Sequence, residues 1–214
     1  MWKKIKQLIF IIFILNVIFI IWGRFLNPPI TITQIGGLLT YGKLHRDYIS
    51  YDEMGDKVKK AVIASEDQKF FTHNGFDYTA IEKAMKNNEK GKRIRGGSTI
   101  SQQTAKNIFL WQGRSWFRKG LEAIYTFIIE KCWNKDIILE RYLNSIEMGQ
   151  GVFGIEASST YYFGKSSKDL STSEAAWIAA VLPNPKKYDP KNPSPYLMKK
   201  HNWIMRQMRN VSLK

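Results

Sequence analysis

The sequence predicts a mainly α-helical domain carried on a single membrane-spanning helix, and three observations predict it. From Ile5 to Trp22 the residues are almost all Ile, Leu, Phe and Val, with Gln7 and Asn16 the only uncharged polar ones; that run meets the ~20 residues needed to cross a bilayer. Beyond it, apolar residues recur at helical spacing in segment after segment, each opened by a capping residue. Period-two alternation is confined to Ile30–Leu39 (ITITQIGGLL), so at most one or two short strands are expected. The expected division is 1–26 as a cytoplasmic tip and transmembrane anchor, 27–55 as a linker and irregular entry segment, and 56–214 as the main domain, a size that supports one sizeable core.

The anchor begins with Lys3, Lys4 and Lys6, which by the positive-inside rule keep the amino terminus in the cytoplasm and export the rest; Arg24 weakens that asymmetry. A cleaved signal peptide is the alternative, but no small-x-small site occurs between Gly23 and Pro29. Lys and Arg total 33 against 18 Asp and Glu, a net charge of +15, which calls for an anionic partner: nucleic acid, an acidic membrane face or a phosphorylated substrate. Export argues against nucleic acid, and no helix-turn-helix, zinc or RNA-binding signature occurs. The lone Cys132 has no partner for an internal disulfide and reads as packing.

Asn27-Pro28-Pro29 ends the anchor, Ile30–Leu39 reads as a linker with a short strand, and Tyr41–Tyr51 as irregular. Asp56 starts a helix with Val58, Ala61, Val62 and Ser65 inward. Asp77 caps another from Tyr78 to about Asn88, with Ile81, Ala84 and Met85 inward. Ser98 reads as the N-cap of the next, and Ser115 as that of Trp116–Trp133, whose stripe is Leu121, Ile124, Tyr125, Ile128 and Cys132. Asp136 opens a helix ending at Gly149, and a short helix follows around Ile155–Tyr162. Ser171-Thr172-Ser173-Glu174 is a capping box for Ala175–Leu182, stopped by Pro183. Pro195 opens a basic terminal helix with Leu197, Ile204, Met208 and Val211 inward.

The chemistry concentrates in three stretches. Ser65-Glu66-Asp67 closes an apolar helix and is followed at once by Phe70, Phe71, His73, Gly75 and Phe76. Aromatic packing there would desolvate Glu66 and raise its pKa toward neutrality, as a general base requires; an acidic helix end over aromatic core is the plain alternative. Lys86–Gly97 (KNNEKGKRIRGG) is either a solvated loop or a phosphate-gripping flap. It leads into Gly96–Asn107 (GGSTISQQTAKN), whose helix start offers free N–H groups to an anion. Thr99, Gln102, Gln103 and Lys106 fall on one side of that helix, a polar face that reads as a lined groove. Arg118, Lys119 and Glu122 sit one turn apart, for which an exposed ion pair is the modest alternative. His45, His73 and His201 are isolated from metal-ligand partners, and Gly164-Lys165-Ser166 lacks the upstream glycine of a P-loop.

These motifs, in order from about Tyr41 to Pro190, resemble those of the peptidoglycan glycosyltransferases of glycosyltransferase family 51, most closely the monofunctional biosynthetic transglycosylases. Glu66–Gly75 looks like the first motif and Gly96–Asn107 the second. Arg118-Lys119-x-x-Glu122 resembles the third, Ile138–Asn144 through Gly164 the fourth, and Leu182–Pro190 the end of the fifth. The resemblance implies a lysozyme-like, two-lobed helical fold with a membrane-dipping lobe. It implies polymerisation of lipid II into glycan strands, with inversion and release of undecaprenyl pyrophosphate. It gives Glu66 and Glu122 as catalytic carboxylates and Asp67, Ser98, Thr99, Gln102, Gln103, Lys106, Asn107, Arg118 and Lys119 as substrate-binding. In that setting Glu122, flanked by cations that should lower its pKa, serves to orient them rather than to act as base, and Asp67 would position a nearby Arg or Lys.

No cofactor is required by this reading; a divalent cation, Mg or Mn, at the pyrophosphate is left open, and no metal ligands are expected in the protein. The expected partners are lipid II, the growing strand, the bilayer and other cell-wall synthesis proteins, at the cytoplasmic (inner) membrane with the catalytic domain on the periplasmic or extracellular side. Two other classes compete: a lysozyme-like enzyme that cleaves murein, which has no need of the cationic cluster, and a non-catalytic wall-assembly adaptor, which has no need of Glu66.

Overall fold

The computed structural model describes residues 2–89, 97–113 and 115–213. The expected phosphate flap falls largely on 90–96, outside the described residues. The helices are α1 (Trp2–Trp22), α2 (Ile32–Tyr41), α3 (Asp56–Glu66), α4 (Tyr78–Glu89), α5 (Ile100–Phe109), α6 (Trp116–Cys132), α7 (Lys135–Ser145), α8 (Ile155–Phe163), α9 (Thr172–Val181) and α10 (Pro195–Gln207). Three short strands accompany them: β1 (His45–Arg46), β2 (Glu147–Gly149) and β3 (Val152–Phe153), with β3 central, parallel to β1 and antiparallel to β2.

Helix α9 is the hub. Its Ala175, Ala176, Ala179 and Ala180 are fully buried, and side chains this small let α3 and α10 pack closely against it. The Ser171–Glu174 capping box forms as its spacing predicts. On α10, Leu197, Ile204 and Met208 face inward, with Val211 buried just beyond. The second packed group is α5 against α6 and α7. The candidate site lies where these two groups meet.

Three expectations are corrected. Ile32–Tyr41 is a helix, not a linker with a strand, because Thr31 and Gln34 form a capping box that outweighs the alternation before it. Gly37 sits in that helix where a Cβ would come within 2.6 Å of the Phe153 ring, so α2 docks on β3 at its glycine. The segment expected to stay helical to Gly149 leaves the helix at Ser145 and becomes β2. Finally, on α6 the stripe residues Leu121, Tyr125, Ile128 and Cys132 are half-buried against the core, the buried positions are Arg118, Glu122, Thr126 and Ile129, and Ile124 is 57% exposed. Met85 on α4, expected inward, is likewise exposed.

Helix α1 is long and apolar enough to span a membrane. Its carboxyl-terminal half is tied to the domain: Tyr125 donates to Asn16 Oδ1 (2.7 Å), Trp133 Nε1 to the Ile20 carbonyl (2.9 Å) and Arg24 to the Cys132 carbonyl (3.1 Å). Arg141 of α7 donates to the Gly23 carbonyl (2.8 Å).

Candidate active site

Helix α3 ends at Glu66 because Asp67 leaves helical geometry (φ −161°, ψ 76°). The turn that follows is closed by side chains. Gly75 N–H donates to His73 Nδ1 (3.1 Å), which leaves the imidazole proton on Nε2, facing both Asp67 oxygens at 3.0 and 2.9 Å. Asp67 also accepts from Ile100 N–H at the start of α5 (3.0 Å), and Thr99 Oγ1 donates to the Gly75 carbonyl (2.7 Å). Gly75 has φ +89°, and a Cβ there would lie 2.9 Å from Thr126 Cγ2, so this position needs glycine twice over. The first two sequence motifs are thus bonded to each other through Asp67, His73 and Thr99.

This arrangement changes two roles. Asp67 is bound to His73 and the α5 amino terminus rather than to an Arg or Lys. The helix cap is Thr99, not Ser98, and it forms a capping box with Gln102: Thr99 Oγ1 accepts from Gln102 N–H and Gln102 Oε1 from Thr99 N–H. Of the N–H groups expected to receive an anion from solution, those of Ile100 and Gln102 are therefore engaged within the protein. Gln102 is buried in that cap and does not line a groove.

Glu66 is held by polar partners. Ser65 Oγ donates to its Oε1 (2.8 Å), Gln103 Nε2 to its Oε2 (3.1 Å), and Lys200 Nζ of α10 lies 3.6 Å from Oε1. The Glu66 and Lys200 side chains are only 14% and 15% exposed. Burial pulls the Lys200 ammonium below the usual lysine range while Glu66 opposes that shift. Gln103 Oε1 in turn accepts from the buried Tyr142 hydroxyl of α7 (3.0 Å).

The cations form the other half of the site. Arg118 Nη1 donates to Glu122 Oε2 (2.6 Å) and its Nε to the Gly113 carbonyl (2.8 Å), while Lys119 binds Glu122 Oε1. Glu122 is 3% exposed and Arg118 8%, so this is a buried ion cluster, not the exposed pair weighed from sequence. Lys106, one turn beyond Gln103 on α5, is pulled below the ordinary lysine range chiefly by burial, with Arg118 and Lys119 adding to the shift and Glu122 resisting it. Asn107 donates to the Gln103 carbonyl (2.8 Å) and accepts from Gln112 (3.1 Å), fixing the end of α5.

A cavity of about 280 Å³ lies on the Glu66 side: Glu66, Ser65, Ser98, Thr99 and Trp203 are among the residues that line it. Ser98 Oγ accepts from Lys119 Nζ (3.2 Å), so one wall of the Glu66 cavity is bonded to the cation cluster. Among the described residues no three His, Cys, Asp or Glu side chains stand together, and Glu122 is already gripped by Arg118 and Lys119. Sequence reasoning did not find Ser65, Tyr142 or Lys200. Ser65 was read as core, Lys200 is one of several lysines on a basic helix, and nothing in sequence spacing joins Tyr142 to Gln103.

Comparison with known proteins gives this geometry its context. Residues 33–209 match the family described as Transglycosylase. A biosynthetic peptidoglycan transglycosylase of Mannheimia succiniciproducens is 55% identical over 171 residues, 80% of this chain and 70% of that protein. Those of Xanthomonas oryzae pv. oryzae and Bdellovibrio bacteriovorus are 46% and 44% identical, covering 92% and 96% of this chain and 83% and 85% of theirs. A carboxylate in a cavity whose wall is bonded to a cation cluster, with a match over most of the chain, leads to one assignment: the chain belongs to the transglycosylase family, that of the biosynthetic peptidoglycan transglycosylases.

Proposed function

We propose that the protein polymerises lipid II. The 4-hydroxyl of an acceptor GlcNAc attacks C1 of the donor MurNAc as Glu66 takes the hydroxyl proton; the C1–O bond breaks, its electron pair leaves on undecaprenyl pyrophosphate, and the configuration inverts. Lys106, Arg118 and Lys119 stabilise the departing charge. Glu122 holds Arg118 and Lys119 in place rather than acting as base. With the α5 start occupied by Asp67, these side chains carry the pyrophosphate, and a divalent cation, if used, would arrive with the substrate. The observation that carries this reading is the wall between the two halves: Ser98 lines the cavity together with Glu66 and is bonded to Lys119.

The anchor supports it. Contacts from Asn16 to Arg24 hold the end of α1 on α6 and α7, and the exposed Trp116, Phe117, Ile124 and Phe127 form an apolar surface on the helix that α1 packs against. A domain so attached sits at the outer face of the cytoplasmic membrane, where a polyprenyl-linked substrate stays within reach. Other cell-wall synthesis proteins would meet it there, and nucleic acid would not.

A glycan-chain gel on purified lipid II tests the reading: the wild type yields a ladder and Glu66→Gln yields none. Digestion of finished murein with no use of lipid II would favour the cleaving enzyme, and an active Glu66→Gln variant would remove the base.

A further inference from the structure

We infer that Tyr142 is a positioning residue for the proton acceptor: its phenol fixes the orientation of the Gln103 amide, and that amide holds one oxygen of Glu66. The inference rests on the reading of Glu66 as base. Tyr142 is 1% exposed on α7, and its hydroxyl lies 3.0 Å from Gln103 Oε1, while Gln103 Nε2 lies 3.1 Å from Glu66 Oε2. The chemistry sets the direction of both bonds. An ionised carboxylate only accepts, so the amide must present its NH₂ to Glu66; its oxygen then faces Tyr142, and the phenol must donate. Burial, with the charges of Glu66 and Asp67, pushes the phenol well above its ordinary range, so it remains a donor at every working pH.

The consequence is a fixed N–H donor on Glu66 Oε2. A proton on that oxygen could be accepted only by a flipped amide carbonyl. That flip would aim the NH₂ at the phenol oxygen and strand the phenol proton, which now has Gln103 Oε1 as its acceptor; a buried hydroxyl so stranded is costly. Tyr142 therefore opposes a proton on Oε2. The other groups facing this carboxylate are Lys200 from α10 and Ser65 from α3, with Asp67 adjacent and occupied by His73, and all of these persist when the phenol oxygen is removed.

The test uses the full chain in detergent micelles, with lipid II turnover followed against pH. In Tyr142→Phe the acid limb of kcat/KM should move up by about half to one pH unit, the equivalent of one hydrogen bond. The plateau kcat should fall severalfold while KM holds. Because the effect passes through Gln103, Tyr142→Phe should shift the limb no further in a Gln103→Leu background. An unmoved limb, or the same shift in both backgrounds, would overturn the inference and leave Tyr142 as core packing. Should Tyr142→Phe not fold, the wild-type phenol proton serves instead: it should be exchange-protected by NMR and lose that protection in Gln103→Leu, and protection unchanged there would refute the relay. Glu66→Gln is run alongside, and its retention of activity would overturn the base reading separately.

Discussion

Replacing Asp67 by Asn isolates the junction that sets Glu66 in place. Asp67 is 7% exposed and its two oxygens accept from His73 Nε2 and from Ile100 N–H. Asn keeps one acceptor and turns the other into an NH₂ that faces a donor. One charge-assisted bond is lost, about 1.5–3 kcal/mol, and a buried donor is left unpaired, about 1–3 kcal/mol. The α5 amino terminus also loses its anion, about 0.3–1 kcal/mol. A cost of about 4 kcal/mol follows from these terms. Against a total stability of about 5–15 kcal/mol the variant should fold but melt early. Urea unfolding of the full chain in micelles, followed by tryptophan fluorescence, reads this as a lowered midpoint at unchanged slope. Lipid II turnover should fall as well, since the next residue back is Glu66. A variant within about 1 kcal/mol of wild type, the size of an ordinary net hydrogen bond, would refute the idea that Asp67 ties the two motifs together.

Three further outcomes are expected. Lys106 loses its proton at lower pH than an ordinary lysine, so if its charge stabilises the leaving group, activity declines as pH rises through that lowered pKa; Lys106→Arg, which stays charged, should extend the alkaline limb upward in a turnover-against-pH series. Glu174 is held at about 2, first by the Ser171 backbone N–H and then by Lys165 and the Ser171 hydroxyl. A depressed carboxylate stabilises the fold above its unfolded pKa of about 4.3 and loses that contribution as pH falls toward 2; for a partly exposed cap this is about 1 kcal/mol, and the acid slope of the melting temperature should shrink in Glu174→Gln. Gly75→Ala should cost about 2–3 kcal/mol by denaturant titration, combining left-handed backbone strain with the Thr126 contact at 2.9 Å.

Where the interactions are local, the sequence could be read directly. The Ser171–Glu174 box, the Asp77 and Ser115 caps and the inward stripe of α10 all depend on spacings of three or four residues, and all form. The strand expected in 30–39 failed at the same range, because Thr31 and Gln34 form a capping box, a signal as local as the β-branched alternation around it. The partners of Glu66 are a different matter. Lys200 lies 134 positions away and Tyr142 reaches Glu66 only through Gln103; neither leaves a periodic trace, since a contact across the fold imposes no spacing on the chain.

Helix α6 shows why periodicity alone does not say what covers every position of a face. Its apolar stripe was real, but a hydrophobic period states only that one side is apolar, not which medium covers it. In a water-soluble domain that side would face the core. Here the buried positions also include Arg118, Glu122 and Thr126, and the Arg118 charge is buried there with Glu122 as its ion partner. The apolar stripe is divided: Leu121, Tyr125, Ile128 and Cys132 are half-buried against the core, while Ile124 and its neighbour Phe127 remain exposed. One helix thus meets two environments, and the clue was present in the chain from the start. A span of lipid-soluble residues at 5–22 meant that a second solvent had to be considered when deciding which side of every later helix was the inside.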